Sequence, residues 1–116
     1  MSIQRFHIGP RLSEMAIHNN TIYLAGQVAD DTSQDISGQT RQVLAAIDKL
    51  LAEAGSDKTQ ILSTTIYITD MADFPAMNAV WDTWVAQGST PPRATVEAKL
   101  AKPAYKVEIQ LIAAKA

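Results

Sequence analysis

Apolar residues recur at steps of three and four through Ile36, Thr40, Val43, Leu44, Ile47, Leu50, Leu51 and Ala54. This mostly apolar stripe predicts an amphipathic helix, with Arg41, Asp48, Lys49 and Glu53 turned away from it. Ser33 or Asp35 caps its start, and Gly55 closes it in the left-handed conformation common at helix ends. A second stripe runs through Phe74, Met77, Asn78, Trp81, Trp84 and Val85. Asp70 or Asp73 caps that helix, and Gly88 followed by Pro91-Pro92 stops it.

The other segments read as strands. Met15-Ala16-Ile17-His18 and Thr21-Ile22-Tyr23-Leu24-Ala25 flank Asn19-Asn20, a two-residue hairpin turn. Ile61 to Thr69 is rich in β-branched residues. Ala94 to Leu100 alternates strictly, and Lys106 to Leu111 alternates again after a turn through Pro103. With a short first strand at Ile3 to Phe6, the predicted order is βββαβαββ.

The two helical stripes need an apolar sheet face. Ala94, Val96, Ala98 and Leu100 are expected to supply it together with Val107, Ile109 and Leu111. The opposite face then carries Arg93, Thr95, Glu97, Lys99, Glu108 and Gln110, and by parity Tyr23, Ile61, Ser63 and Tyr67. So mixed a face suits a subunit interface with pockets in it. If the last two strands form a hairpin about residue 103, Glu108 lies opposite residue 98. Arg93 is then about five positions, roughly 17 Å, further along, so either a bulge closes the gap or a pocket using both draws on two chains, and the second is favoured.

Length and composition narrow the class. The 116 residues, 47% hydrophobic and 19% charged, predict one complete globular domain over residues 1–116. A net charge of −2 offers no cationic footprint for nucleic acid. The absence of cysteine removes disulfides, thiolate metal sites and cysteine nucleophiles. His7 and His18 are the only histidines, too few for most metal sites, so no metal is expected. No apolar run reaches the ~18 residues of a membrane span, and Met1 to His7 lacks the apolar region of a signal peptide. The cytoplasm is the expected compartment.

The candidate residues are Arg93, Glu108, Arg11, Asn78 and Gly26-Gln27. Two prolines stiffen the approach to Arg93, whose planar fork is a natural partner for a carboxylate; taken alone, it also reads as an ordinary surface arginine. Glu108, with the same expected parity, is catalytic, solvated or paired. Asn78 lies on an apolar stripe, and a buried amide there is expected to tie down a neighbouring loop. Gly26 permits close backbone approach to a ligand or marks a bulge. Ser63, Thr64 and Thr65 have no histidine base placed for a serine-type triad.

The stretch Thr90-Pro91-Pro92-Arg93-Ala94-Thr95-Val96-Glu97, followed by Lys106-Val107-Glu108-Ile109, resembles the C-terminal signature of the Rid (reactive intermediate deaminase, YjgF-type) family. Gly9-Pro10, Leu24-Ala25-Gly26-Gln27, Gln39 to Leu44 and Asp73 to Asn78 resemble its other landmarks, in order. The resemblance implies an α+β, chorismate-mutase-like fold with a mixed sheet, two helices on one face, and a homotrimer with sites between subunits. It further implies an imine/enamine deaminase that hydrolyses 2-imino acids, or their enamine tautomers, to 2-oxo acids and ammonia. No cofactor is implied, because a protonated imine is already electrophilic. In that reading Arg93 binds the substrate carboxylate and Glu108 positions the attacking water. Gly26 and Gln27 orient the imine, Asn78 supports the Arg93 loop, and Thr95 and Arg11 complete the substrate site. Arg11 stands where the family's best-characterised branch has tyrosine, and Thr95 where it has cysteine or serine. A mobile cation at Arg11 would favour substrates with extra negative charge; the alternative is a solvent-facing pair with Glu14. A non-catalytic trimer that binds small carboxylates as a sensor is the other reading of the same pocket. Neither reading involves nucleic acid or membrane.

Overall fold

The computed structural model describes residues 2–116. In chain order it contains β1 (Gln4–Ile8), β2 (Ser13–His18), β3 (Thr21–Leu24), α1 (Ile36–Glu53), β4 (Ile61–Ile68), α2 (Phe74–Trp84), β5 (Arg93–Glu97) and β6 (Val107–Ala114). Short 3-10 turns at Lys58–Gln60 and Met71–Asp73 lead into β4 and α2. The predicted order βββαβαββ is therefore the observed one.

Local chemistry explains most boundaries. Asn19 and Asn20 both take positive φ, 52° and 64°, as a tight hairpin turn requires. Asp35 caps α1 by accepting from the Gly38 N–H at 2.9 Å, and Gly55 follows the helix at φ 74°. Asp70 caps the 3-10 turn ahead of α2 through the Ala72 N–H. Asp73 occupies the α2 cap position without a side-chain bond, beside a proline in the first turn.

One six-stranded mixed sheet runs in the order β1-β2-β3-β6-β4-β5. Among the described residues only β4 and β5 are parallel, joined by α2 as a βαβ crossover. The helices cover one face, and Leu44, Ile47, Leu51, Met77, Ile66, Ile68, Ile109 and Leu111 form the centre of the core. On β6, Val107, Ile109, Leu111 and Ala113 are buried while the residues between them are not.

The expected hairpin about residue 103 does not form. β5 stops at Glu97 instead of Leu100, and β4 lies between β5 and β6. The expected faces of β5 are also reversed. Arg93 and Thr95 pair with Thr64 and Ile66, whose side chains are buried under the helices. Ala94 and Val96 instead share the open face with Tyr67, and Val96 is 41% exposed. Alternation along an edge strand distinguishes two faces without saying which one meets the helices.

Two irregularities shift parity elsewhere. The register of β4 slips between Ile61 and Ser63, which buries Ile61 instead of placing it on the open face. Gln27 is four positions after Tyr23, whereas their partners Ile109 and Ile112 are three positions apart. The chain after β3 thus carries one extra residue, and Gly26 lies within that bulge. Among the described residues, no helix is long and apolar enough to cross a membrane.

Candidate functional site

Helical spacing puts Phe74, Asn78 and Trp81 on one face of α2. The guanidinium of Arg93 lies over two of them, 5.2 Å from the Trp81 ring centroid and 5.9 Å from that of Phe74. Its first position in β5, directly after Pro91-Pro92, directs the side chain back across the helix surface. The rings support the flat cation without consuming its N–H donors. Among the described residues Arg93 enters no ion pair.

Three polar atoms around this stack are buried and have no hydrogen-bond partner among the described residues: Asn78 Oδ1, Thr95 Oγ1 and Thr64 Oγ1. Thr95 is two residues from Arg93 on the same face, and Thr64 is Arg93's partner on β4. Buried polar atoms are usually satisfied, so three orphans close to an unpaired cation set this region apart from the rest of the core. Asn78 was expected to hold a loop; instead its carbonyl oxygen is unengaged. Thr64 was missed as a candidate, and only its pairing with Arg93 reveals it.

Glu108 belongs to a second cluster, on the open face. It pairs with Tyr67 on β4, with Gln110 opposite Thr65. Its carboxylate lies against Gly26: a Cβ built there would sit 2.2 Å from Glu108 Oε2. Glycine at this bulge thus leaves the Glu108 carboxylate the space it occupies. A cavity of about 380 Å³ opens beside Glu108, with Tyr67, Lys99, Leu100 and Gln110 in its walls. Gln110 donates to the Leu24 carbonyl at 3.3 Å.

Arg93 and Glu108 therefore do not share a face, contrary to the parity expected from the sequence. Their β4 partners, Thr64 and Tyr67, are three residues apart. The two groups are separated by about 10 Å along the strands and about 10 Å across them, on opposite sides of the sheet. One chain cannot bring them to the same small molecule.

Gln27 takes the helix side because of the bulge. It is 7% exposed and donates to Glu14 Oε2 and the Ala25 carbonyl, both at 3.1 Å. With Glu14 and His7 it lines a separate cavity of about 540 Å³ against α1. There His7 Nε2 lies 2.8 Å from Glu53 Oε1. Arg11 is exposed in the turn between β1 and β2 and lines neither cavity. Its expected ion pair with Glu14 is not formed.

A family model described as Endoribonuclease L-PSP matches residues 3–115. A RutC family protein of Haemophilus influenzae is 54% identical over 114 residues, covering 97% of this chain and 98% of its own. The solved structure of a YjgF family member from Neisseria meningitidis is similar with a TM-score of 0.97 at 48% identity, over 100% of this chain and 97% of that one. A 2-iminobutanoate/2-iminopropanoate deaminase of Mus musculus is 34% identical over 112 residues, covering 91% of this chain and 82% of that protein.

Proposed function

The chain belongs to the endoribonuclease L-PSP (YjgF/RidA/RutC) family, and on that premise we propose that it hydrolyses reactive 2-imino acids to 2-oxo acids and ammonia. The observation that carries the reading is the Arg93 fork, laid over Trp81 and Phe74 with Asn78 Oδ1 and Thr95 Oγ1 unpartnered beside it. A cation backed by aromatic rings suits a planar carboxylate, and the orphan oxygens suit the N–H groups of an iminium and a water. The deaminase name of the mouse relative supports the same chemistry.

In this proposal the site is completed by a second chain, within a homotrimer. Arg93 of one subunit binds the substrate carboxylate bidentately. Glu108 of the neighbour, fixed against Gly26, holds a water facing C2 of the iminium. As the water oxygen bonds to C2, the C=N π electrons move to nitrogen and Glu108 accepts the water's proton. The carbinolamine then collapses: Glu108 returns that proton to the departing nitrogen, the C–N bond breaks, and the hydroxyl gives its own proton to the vacated Glu108 carboxylate as the C=O bond forms, so that ammonia leaves and carries this last proton away as ammonium. Water is consumed and no redox partner is needed. Positioning and charge provide the acceleration. Such a protein would act in the cytoplasm, clearing imines that escape other enzymes.

The test is to generate 2-iminopropanoate or 2-iminobutanoate in solution and follow its loss with and without protein. Acceleration that disappears in Arg93→Ala supports the enzyme. Tight binding of 2-oxo acids without acceleration would establish the small-carboxylate sensor instead.

A further inference from the structure

The walls of the cavity beside Glu108 are unequal. Ala98, Leu100 and Ala101 form short apolar surfaces, Tyr67 and Gln110 add polar ones, and Lys99 contributes a cation. Lys99 forms no ion pair with Glu108 or with any other acid among the described residues. The nearby acid Glu97 is turned toward the chain ahead of α2, where it accepts from the Met71 N–H at 3.0 Å. An apolar wall a few carbons long, ending at a free ammonium, matches a side chain of methylene groups ending in an anion.

We infer that Lys99 is a specificity-determining residue that binds a distal carboxylate, and that acidic 2-imino acids, those derived from dicarboxylic amino acids, are the preferred substrates. The inference rests on the proposed deaminase reading and names the substrate class of that site. The α-carboxylate lies on Arg93 of one subunit, and the side chain runs along Leu100 and Ala101 of the other to Lys99. This role differs from that expected of Arg11, which does not border the Glu108 cavity. An ammonium this exposed binds an anion modestly, so a selectivity of about 3- to 5-fold is expected, decreasing as salt rises.

The experiment measures kcat/KM for imines generated from glutamate and from alanine, in wild type, Lys99→Met and Lys99→Arg. The expected result is a ratio of glutamate- to alanine-derived imine that falls about 3- to 5-fold in Lys99→Met, mainly through KM, and recovers in Lys99→Arg. A second measurement, titration of each protein with 2-oxoglutarate and 2-oxobutanoate, is independent of turnover. If no imine is consumed faster but 2-oxoglutarate binds more tightly in a Lys99-dependent way, the deaminase reading fails and the assignment of Lys99 stands. An unchanged ratio in both measurements, or equal loss for both substrate classes, would overturn it.

Discussion

Gly26 and Glu108 compete for one volume: the space a Cβ of residue 26 would fill is held by the carboxylate of residue 108. The obstacle is the far end of a flexible side chain, so an added methyl would move Glu108 and leave the backbone in place. We expect Gly26→Ala to fold with little change in Tm. Its imine hydrolysis should fall roughly 100-fold, the scale of a 1 Å misplacement of a catalytic group. Circular dichroism melts alongside the imine assay check this; full activity would show that Glu108 need not hold its place.

Arg93→Lys should retain the fold and lose most activity. Lysine keeps the charge but not the planar fork that rests on Trp81 and Phe74. Loss of one charge-assisted bond corresponds to roughly 1.5–3 kcal/mol, about 10- to 150-fold in kcat/KM. Wild-type turnover in the folded variant would remove Arg93 as the carboxylate anchor.

The separation of Arg93 and Glu108 across the sheet leads to a complementation experiment. Arg93→Ala and Glu108→Ala proteins, each inactive alone, should regain part of the activity once subunits are exchanged. Light scattering on a sizing column should give three times 12.6 kDa. Verified hybrids without recovery, or a monomer at micromolar concentration, would contradict a shared site.

Much of this arrangement was legible in the residues. The stripe of α1, most of that of α2, the Asn19-Asn20 turn and the stop at Gly55 each follow from local chemistry and are observed, whereas α2 ends at Trp84, four residues before Gly88. The signature around Arg93 and Glu108 also identified the family correctly. Strand neighbours were not legible, because pairing β4 with both β5 and β6 is a long-range choice that alternation does not encode. The face of β5 was misread for the same reason, as its apolar residues lie on the side away from the helices. The bulges near Leu62 and Gly26 each move residues to the other face, which no period-two pattern reveals.

Gln39, which in the sequence belongs only to a family landmark, is fully buried and organises the approach to β6. Its Nε2 donates to the Gln34 and Ala104 carbonyls at 3.1 and 3.0 Å, and its Oε1 accepts from the Lys106 N–H at 2.9 Å. Gln39→Met, similar in volume, should cost about 1–3 kcal/mol through the groups left unpaired. Lys106 precedes Glu108 by two residues, so activity should fall as well. Urea titration measures the first effect; unaltered stability would mean that the loop holds itself.

Acid should weaken the entry to β4. The Asp57 carboxylate accepts from the Thr59 hydroxyl and from the Thr59 N–H, which together hold its pKa below the ordinary 3.8. The folded chain thus binds this proton less readily than the unfolded chain. The resulting stability is complete above 3.8 and disappears as pH falls through the lower folded value. The stability difference between wild type and Asp57→Asn should accordingly narrow on acidification. A difference independent of pH would show that Asp57 acts without its charge.

The position of β6 also imposes a timetable on biosynthesis. It is the last strand in sequence yet lies in the middle of the sheet, between β3 and β4. While the intervening chain is being made, over several seconds at about 5–20 residues per second, both of those strands present bare edges to the cell. The nascent chain is therefore expected to need its open edges shielded until Val107–Ala114 has emerged. A premature stop ahead of Val107 would yield an open-edged fragment prone to aggregate rather than a smaller working protein.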